Sequence, residues 1–351
     1  MAAVVGGHHH GHQREARPEV AFISWGAVGG RAIEIAGVLG GEARCFFAPG
    51  PEPRPSAPVR YVLSAIGTAA YLIRRRPRSL IITTPPIVAG LMALCWCRLA
   101  RVPLVVDAHP GAFGAQGDRV SERLGWLHRR VVARAGLTLV AAPAWQRMVE
   151  CWGGRALVFH EAPSGWEGAR PPSRSAAGDR LKVLYVGRFA RDEPIEAVID
   201  AARCVPDCDV LVTGERSACP DSLRDALPPN VRFVGFLEAG AYRRAVLESD
   251  GVLALTTEES SVMRAACEAI FACRPLVCSD WPIARELFPY ALHVRNDAEA
   301  IAAGLGRLAR RYDEAAHSTI VARELQVRRF EGQAAALRAW LDMERSLLGQ
   351  E

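Results

Sequence analysis

Residues 251–271 read GVLALTTEESSVMRAACEAIF, which is an apolar run, a polar turn and then a stretch of small and apolar residues. The run 251–255 predicts a short strand buried on both faces of a parallel sheet. The stretch 263–272 predicts a helix that carries one carboxylate, Glu268, among small neighbours. Such a carboxylate is costly to bury unless it has a partner, for example a ligand hydroxyl. This strand, turn and helix therefore predict an α/β domain with a ligand site at the carboxyl end of the strand.

The same alternation of short apolar runs and helical stretches extends in both directions along the chain. Because the connections are short, it predicts two doubly wound, parallel-sheet α/β domains in series, with a ligand cleft at the carboxyl ends of their strands. The other predicted strands are 20–25, 80–84, 103–106, 137–141, 181–186, 209–213, 231–234 and 275–278. The other predicted helices are 31–39, 59–75, 87–99, 122–134, 193–204 and 239–247.

The alternation is interrupted at residues 163–179, which are rich in Gly, Pro, Ser and Arg and predict an interdomain linker. Beyond residue 297 the sequence becomes helical and Arg-rich, with apolar residues too sparse for a coiled-coil seam. The predicted organisation is a disordered His- and Gly-rich tail (1–17), a first domain (18–165), a linker (166–179), a second domain (180–310), and helices that pack back on the domains (311–351).

The composition is that of a globular protein. Of the 351 residues 50% are hydrophobic, 23% are charged and 7% are aromatic, which excludes a wholly disordered or coiled-coil chain. The formal net charge is +5, but residues 1–180 hold 22 cationic side chains against 12 acidic ones, and residues 181–351 hold 21 against 26. We expect no nucleic-acid partner, because no basic and aromatic interleaving or known fold signature supports one.

Ten cysteines are scattered among apolar neighbours, which indicates buried thiols in a reducing, cytoplasmic location and not a disulfide framework. The start of the chain lacks the apolar core of a secretion signal. The longest apolar run, residues 87–97, has 11 residues and is too short to cross a bilayer as a helix.

Two glycine-containing turns follow predicted strands and suit phosphate groups. Residues 26–30 (GAVGG) precede a helix, where glycines allow close backbone approach and free N–H groups attract an anion, although the G-x-G-x-x-G fingerprint is not matched. The alternative is that these glycines serve only a tight turn. Arg188 follows Gly187 at a strand end and can form a forked contact with a diphosphate. The alternative is a surface cation paired with Asp192 or Glu193.

His109 follows a predicted strand and precedes the sequence PGAFG (110–114), which is typical of a flexible loop that shapes an active site. Asp107 projects from the same side of an extended chain, so the two residues can orient a sugar or an acceptor together. A histidine that caps the strand by bonding to nearby backbone would give the same pattern. Both interpretations remain open.

The run RRRPR at residues 74–78 ends a predicted helix with many apolar residues. A helix C-terminus stabilised by cations explains it most simply. The alternative is a basic amphipathic element that rests on an anionic membrane or attracts an anionic acceptor such as a polyprenyl phosphate.

These stretches together resemble the GT-B fold glycosyltransferases of family 4, the glycosyl transferases group 1. In the second half the resemblance rests on VGR (186–188), NVRFVGFL (230–237), the helix with Tyr242 and Asp250, and CEA (267–269) before RPLV (274–277). In the first half it rests on the glycine turn, TPP (84–86) and VDAH (106–109). It covers most of residues 19–310.

The resemblance implies a GT-B chain whose N-terminal acceptor-side domain and C-terminal donor-binding domain are Rossmann-like and face each other across a cleft. It implies transfer of a sugar from a nucleotide-diphosphate sugar, with retention at the anomeric carbon and with neither a metal nor another cofactor. Carried over by position, Glu268 would hold the donor ribose, Arg188 would neutralise the diphosphate, and His109 would lie near the transferred sugar. Gly29 and Gly30 would approach the phosphate.

Two positions depart from the family pattern. The first glutamate of the family's pair falls on Ser260, so the sugar contact would pass to Ser260 or Ser261. The lysine that usually follows the diphosphate arginine falls on Glu193, and Arg264, one helical turn before Glu268, is the nearest replacement cation.

These departures keep two other classes of protein open, a GT-B fold nucleotide-sugar epimerase and a non-catalytic partner of an active glycosyltransferase. The expected partners are a nucleotide-sugar donor and an acceptor that is a glycan, a lipid-linked intermediate or a small molecule. The expected location is the cytoplasm, with peripheral contact at the inner face of an anionic membrane as the alternative drawn from the basic run.

Overall fold

The computed structural model describes residues 17–25, 30–46, 56–113, 124–163, 165–172, 180–220, 223 and 227–349. The chain divides into two compact units. The first runs to Ala162 and resumes at Phe330, and the second is Pro163–Arg329. Each unit contains a six-stranded parallel sheet flanked by helices. The prediction of two doubly wound parallel-sheet α/β domains is confirmed.

The first unit has the strand order β2-β1-β3-β4-β5-β6, so the direction of winding changes between β1 and β3. Its strands are β1 (Ala21–Ser24), β2 (Glu42–Cys45), β3 (Leu80–Thr84), β4 (Leu104–Ala108), β5 (Leu137–Val140) and β6 (Ala156–Val158). Its helices before residue 163 are α1 (Gly30–Val38), α2 (Ala57–Arg75), α3 (Ile87–Ala100), α4 (Gly125–Val132) and α5 (Pro143–Cys151), with a 3₁₀ turn at Pro110–Phe113.

The second unit has the strand order β12-β11-β10-β7-β8-β9, so the winding changes direction between β7 and β10. Its strands are β7 (Leu181–Tyr185), β8 (Cys208–Thr213), β9 (Val231–Gly235), β10 (Gly251–Ala254), β11 (Leu276–Ser279) and β12 (Leu292–Val294). The helices from this point on are α6 (Ile195–Cys204), α7 (Ala239–Leu247), α8 (Arg264–Phe271), α9 (Pro282–Leu287), α10 (Ala298–Arg310) and α11 (Tyr312–Leu347), with a 3₁₀ turn at Arg216–Ala218.

Three strands, β2, β6 and β12, were not predicted from the sequence. All three lie at sheet edges and are largely half-buried, so none of them is the continuous apolar run that marks a central parallel strand. The predicted helix 193–204 begins only at Ile195, because Pro194 occupies the N-cap. The predicted helix 122–134 is shorter, Gly125–Val132, and residues 121–123 lie outside the described residues.

The helix α11 contributes to the core of each unit in turn. Tyr312 and Ala316, in its first two turns, are buried in the core of the second unit. Phe330, Leu337 and Leu341 are buried against the sheet of the first unit. All ten cysteines are free thiols. Within the described residues, no helix combines the length and the apolar character needed to span a membrane.

Candidate functional site

The carboxyl ends of β7 and β10 border the point where the second sheet changes its winding direction. In doubly wound folds this crevice is where ligands bind. Arg188 follows β7, whereas Ser260, Ser261 and Glu268 follow β10, and the two strands are direct neighbours. The structure therefore brings these sequence-predicted residues to one edge of one sheet.

Glu268 lies on α8 and its side chain is only 12% exposed. The Tyr242 hydroxyl, on α7, donates a hydrogen bond to Glu268 Oε2 at 2.6 Å. Arg264 Nε donates to Glu268 Oε1 at 2.8 Å, so the expected replacement cation is paired with this carboxylate. Burial, together with the charge of Glu268, raises the pKa of Tyr242 and keeps its hydroxyl protonated as a donor. The two donors fix the carboxylate, whose remaining lone pairs can accept from ligand hydroxyls.

The turn after β7 is held in a tight conformation that only glycine fits at position 187. A Cβ on Gly187 would lie 2.6 Å from Tyr185 Cε1 and 3.0 Å from Glu193 Oε2. Glu193 Oε2 accepts hydrogen bonds from the backbone N–H groups of Arg188 (2.8 Å) and Ala190 (3.2 Å). Burial raises the pKa of Glu193 even though these hydrogen bonds favour its charged form. The residue that stands in place of the family's lysine is therefore a cap for the turn.

The Arg188 side chain extends from this turn and is exposed. Within the part of the chain that the structure describes, it forms no ion pair with Asp192 or Glu193, the partners that the alternative interpretation required. Ser260 and Ser261 lie half-buried in the turn between β10 and α8, and the Ser261 N–H donates to the Glu258 carbonyl at 3.1 Å.

Other polar residues of the motifs that carry the family resemblance form hydrogen bonds that stabilise the fold. The Asn230 amide nitrogen donates to three backbone carbonyls at 2.8–3.1 Å. Asp250 Oδ2 accepts from the backbone N–H of Lys182 at 2.7 Å, and Arg274 donates to backbone carbonyls, including that of Leu247 at 2.6 Å. The motifs thus separate into residues that build the fold and residues, such as Glu268, that follow the carboxyl ends of β7 and β10.

In the first unit, Asp107 at the end of β4 is 2% exposed and pairs with Arg31 from α1, at 3.0 Å between Nη2 and Oδ1. Arg31 also donates to Glu161 Oε1 at 3.3 Å and to the Phe159 carbonyl at 3.0 Å. Burial alone would raise the pKa of Asp107, but the Arg31 charge and the contact with His109 outweigh it and hold that pKa well below its ordinary value. Asp107 is therefore a buried anion that positions its neighbours.

His109 Nε2 lies 3.3 Å from Asp107 Oδ2, and its side chain is 47% exposed at the sheet edge. Burial disfavours the imidazolium, but the hydrogen bond and the negative charge of Asp107 outweigh burial and raise the pKa of His109. The His109 backbone N–H donates to the Thr84 carbonyl at 2.9 Å. The backbone thus links the ends of β3 and β4, while the imidazole contacts a carboxylate instead of capping the strand.

The structure describes only part of the glycine turn that was predicted to approach a phosphate group. Gly30 opens α1, whereas Gly29 lies outside the described residues. The roles of Arg31, Glu161 and Tyr242 were not predicted. Arg31 interrupts the apolar face of its helix, which is a usable signal for a buried cation, but the sequence contains no comparable signal for Glu161 or Tyr242.

Among the described residues, no group of three or more His, Cys, Asp or Glu side chains is placed to hold a metal ion. The sequence Asp207-Cys208-Asp209 has the D-x-D form but surrounds the start of β8, at the sheet edge opposite to Arg188. There Asp209 pairs with Arg180 at 2.7 Å.

Two Rossmann-like units in one chain are the architecture of the GT-B fold. Residues 180–311 match the family model described as glycosyl transferases group 1. This match lies within the second unit, and it confirms the resemblance to the group 1 glycosyltransferases that the motifs of this half indicate.

The chain is also similar in sequence or in fold to individual known proteins. An alpha-D-kanosaminyltransferase from Streptomyces kanamyceticus is 29% identical over 146 residues, a match that covers 35% of this chain and 38% of the relative. Sucrose-phosphate synthase from Thermosynechococcus elongatus has a TM-score of 0.71 at 16% identity, covering 95% of this chain and 100% of that one. The Anabaena protein HepE in complex with UDP and glucose has a TM-score of 0.68 at 16% identity, covering 93% and 99%. At these identities the solved structures establish the GT-B fold alone.

Proposed function

We propose that this protein is a glycosyltransferase that moves a sugar from a nucleotide-diphosphate sugar to an acceptor. The observation that carries the proposal is Glu268, a carboxylate held by two donors at the crevice edge of a unit that matches the group 1 family. The complex of the structural neighbour HepE with UDP and glucose supports a donor of this class.

In this function the Glu268 carboxylate accepts hydrogen bonds from the ribose hydroxyls of the donor. Arg188 faces the diphosphate, on which negative charge grows as the bond to the anomeric carbon breaks. Ser260 and Ser261 contact the sugar in place of the family's first glutamate. His109, whose pKa is raised by its contact with Asp107, lies beside the transferred sugar on the acceptor side.

We further propose that transfer retains the anomeric configuration and requires no metal. Arginine and the N–H groups at a helix N-terminus can supply the charge stabilisation that a divalent ion supplies elsewhere. Activity that disappears with a chelator and returns with added manganese would contradict this part of the proposal. The anomeric configuration of the product, read by NMR, tests retention. We place the activity in the cytoplasm, in line with the ten free thiols.

One observation favours a second candidate function, a non-catalytic partner of an active transferase. Both departures from the family pattern, Ser260 and Glu193, fall at the crevice edge and alter the groups that would touch the donor.

One experiment separates these candidates. The purified protein is incubated with a panel of nucleotide sugars, and thermal shift is scored first, followed by hydrolysis or isomerisation. A transferase binds a donor and slowly releases its sugar to water, an epimerase isomerises a nucleotide sugar with no acceptor, and a non-catalytic partner turns over nothing. Absence of both binding and turnover across the panel would overturn the proposal.

A further inference from the structure

The outward face of α2 is a continuous apolar stripe. Val59, Val62, Leu63, Ile66 and Ile73 recur at intervals of one, three, four and seven residues, which places them on one side of the helix. Their side chains are 48–61% exposed. Single exposed apolar residues are ordinary, but a stripe along a whole helix marks an interaction surface.

The face of α2 that packs on the core of the first unit holds the apolar side chains of Tyr71 and Leu72, together with two buried hydroxyl groups. Ser64 and Thr68, on the opposite face, are buried at 4% and 0% exposure. They are satisfied there, because Thr68 Oγ1 accepts a hydrogen bond from Trp25 Nε1 at 2.9 Å and the Ser64 hydroxyl donates to the Phe46 carbonyl. The helix therefore has a fully satisfied packed face and, on its other side, a second apolar face that is exposed.

The stripe leads into a basic rim. At the C-termini of α2 and α3, Arg76, Trp96 and Leu99 line one shallow cavity of about 640 Å³, and Leu99 is 86% exposed. Arg74 and Arg98 lie beside them on the last turns of these helices. Together with Arg76 and Arg101 they form no ion pair within the described residues.

The chain segment that forms this surface is basic, and the acidic side chains nearest to it, Glu42 and Glu19, are paired with Arg75 and Arg78. Residues 53–106 contain eight arginines and no aspartate or glutamate. Glu344 lines an adjacent cavity with Arg98 and Arg101, and its carboxylate lies 3.5 Å from Arg155. A stripe of apolar side chains that ends in unpaired arginines fits a surface that is apolar within and anionic at its boundary.

We infer that α2 and the end of α3 dock on a lipid bilayer that contains anionic phospholipid. The stripe enters the boundary between headgroups and acyl chains, Leu99 inserts beside it, and Arg74, Arg76, Arg98 and Arg101 contact the headgroup phosphates. A second copy of the chain fits less well, because a two-fold contact pairs this surface with itself, and residues 53–106 offer no carboxylate to the arginines of the other copy. This inference goes beyond the proposed function and needs no donor or acceptor.

The test is co-flotation of the full chain with vesicles of phosphatidylcholine alone and of phosphatidylcholine mixed with phosphatidylglycerol. We expect binding to the mixed vesicles that weakens as salt is added, and little binding to the neutral ones. Arg74→Gln with Arg98→Gln should weaken binding about 25-fold, at about fivefold for each arginine near the surface. Ile66→Gln with Leu99→Gln should weaken binding to the mixed vesicles by about tenfold or more, because less apolar surface is buried in the bilayer.

Matched controls carry the same changes elsewhere on the surface. Arg147→Gln with Arg310→Gln, and Ile320→Gln with Leu347→Gln, replace exposed side chains of the same types and should bind as the wild type does. Equal binding to neutral and anionic vesicles, no binding at all, or equal losses in the controls would overturn the inference. Light scattering that reveals a dimer abolished by the stripe variants, without vesicle binding, would assign the surface to a second copy instead. Donor binding is measured separately, so failure of either proposal leaves the other standing.

Discussion

One carboxylate oxygen of Glu268 accepts a hydrogen bond from Tyr242 and the other accepts one from Arg264, so the side chain is held in position before a ligand binds. If it holds the ribose in the ground state and the transition state alike, Glu268→Gln should mainly weaken donor binding. The expected loss is about 1–3 kcal/mol, as for a hydrogen bond to a charged group, and appears as a raised donor KM with kcat little changed. Tyr242→Phe should give a smaller rise in KM, since it removes only one positioning bond. An unchanged KM in folded Glu268→Gln protein would show that the ribose binds elsewhere.

Arg188 should behave differently, because the charge that it faces grows during the reaction. Arg188→Ala is expected to lower kcat by about 10²-fold or more and to weaken donor binding as well. Arg188→Lys should restore little, because an ammonium lacks the planar fork of the guanidinium. The exposed Arg191, which is nearby in sequence, provides the matched control as Arg191→Ala. Loss in both variants alike would indicate a general effect of surface charge.

Asp107 and His109 are neighbours with opposite environments, and their variants should separate stability from activity. Asp107→Asn leaves the buried Arg31 with only Glu161 as a carboxylate partner, so unfolding should become easier by about 3–5 kcal/mol. His109→Ala removes a half-exposed side chain, so it should leave the melting temperature nearly unchanged and lower kcat. Thermal melting and donor turnover of both variants check the pair. A large stability loss in His109→Ala would place that residue in the scaffold.

At the scale of elements, the strand and helix alternation was predictable because central parallel strands are continuous apolar runs that end in polar turns. The candidate site residues that follow β4, β7 and β10 could be identified from the sequence for the same reason. Their partners could not, because Tyr242 meets Glu268 from 26 positions away and Arg31 meets Asp107 from 76. Edge strands such as β2 were missed, since a half-buried strand of four residues has no distinctive pattern.

The helix α4 carries a buried titratable group that should make stability depend on pH. His128 is 0% exposed, packs against Phe113 and Trp152, and has no hydrogen-bond partner at either ring nitrogen within the described residues. Burial lowers the pKa of His128 to about 4, from an ordinary value of 6.5. Between these values the unfolded chain binds more protons than the folded one, so stability is full above the unfolded pKa and is lost as pH falls.

His128→Leu should remove this dependence. Relative to the variant, the wild type should lose about 2 kcal/mol of unfolding free energy between neutral pH and about pH 5. Urea unfolding followed by tryptophan fluorescence measures it, because Trp152 lies against the imidazole. The exposed His317, replaced as His317→Gln, should keep the wild-type dependence. Parallel stability curves for wild type and His128→Leu would mean that His128 is not the titrating group.

At the scale of the whole molecule, the first unit is built from two distant parts of the chain. Its sheet is complete by β6, yet its core includes residues of α11 more than 170 positions later. The composition of the C-terminal region predicted helices, but it could not indicate which core would receive them. The apolar residues are too sparse to form a seam of their own, and they become a core only against β-strand side chains such as Ile81 and Val105.

The stability of the first unit should therefore depend on the far end of the chain. Leu337 is 0% exposed in that core, so Leu337→Ala should cost about 2–5 kcal/mol by removing buried methyl groups and leaving a cavity. Leu347→Ala makes the same chemical change on the same helix at a side chain that is 73% exposed, and it should cost almost nothing. Hydrogen exchange of β4 and β5 amides reads the first unit specifically, and faster exchange is expected in Leu337→Ala alone. Equal protection of these strands in both variants would mean that the sheet of the first unit is stable without α11.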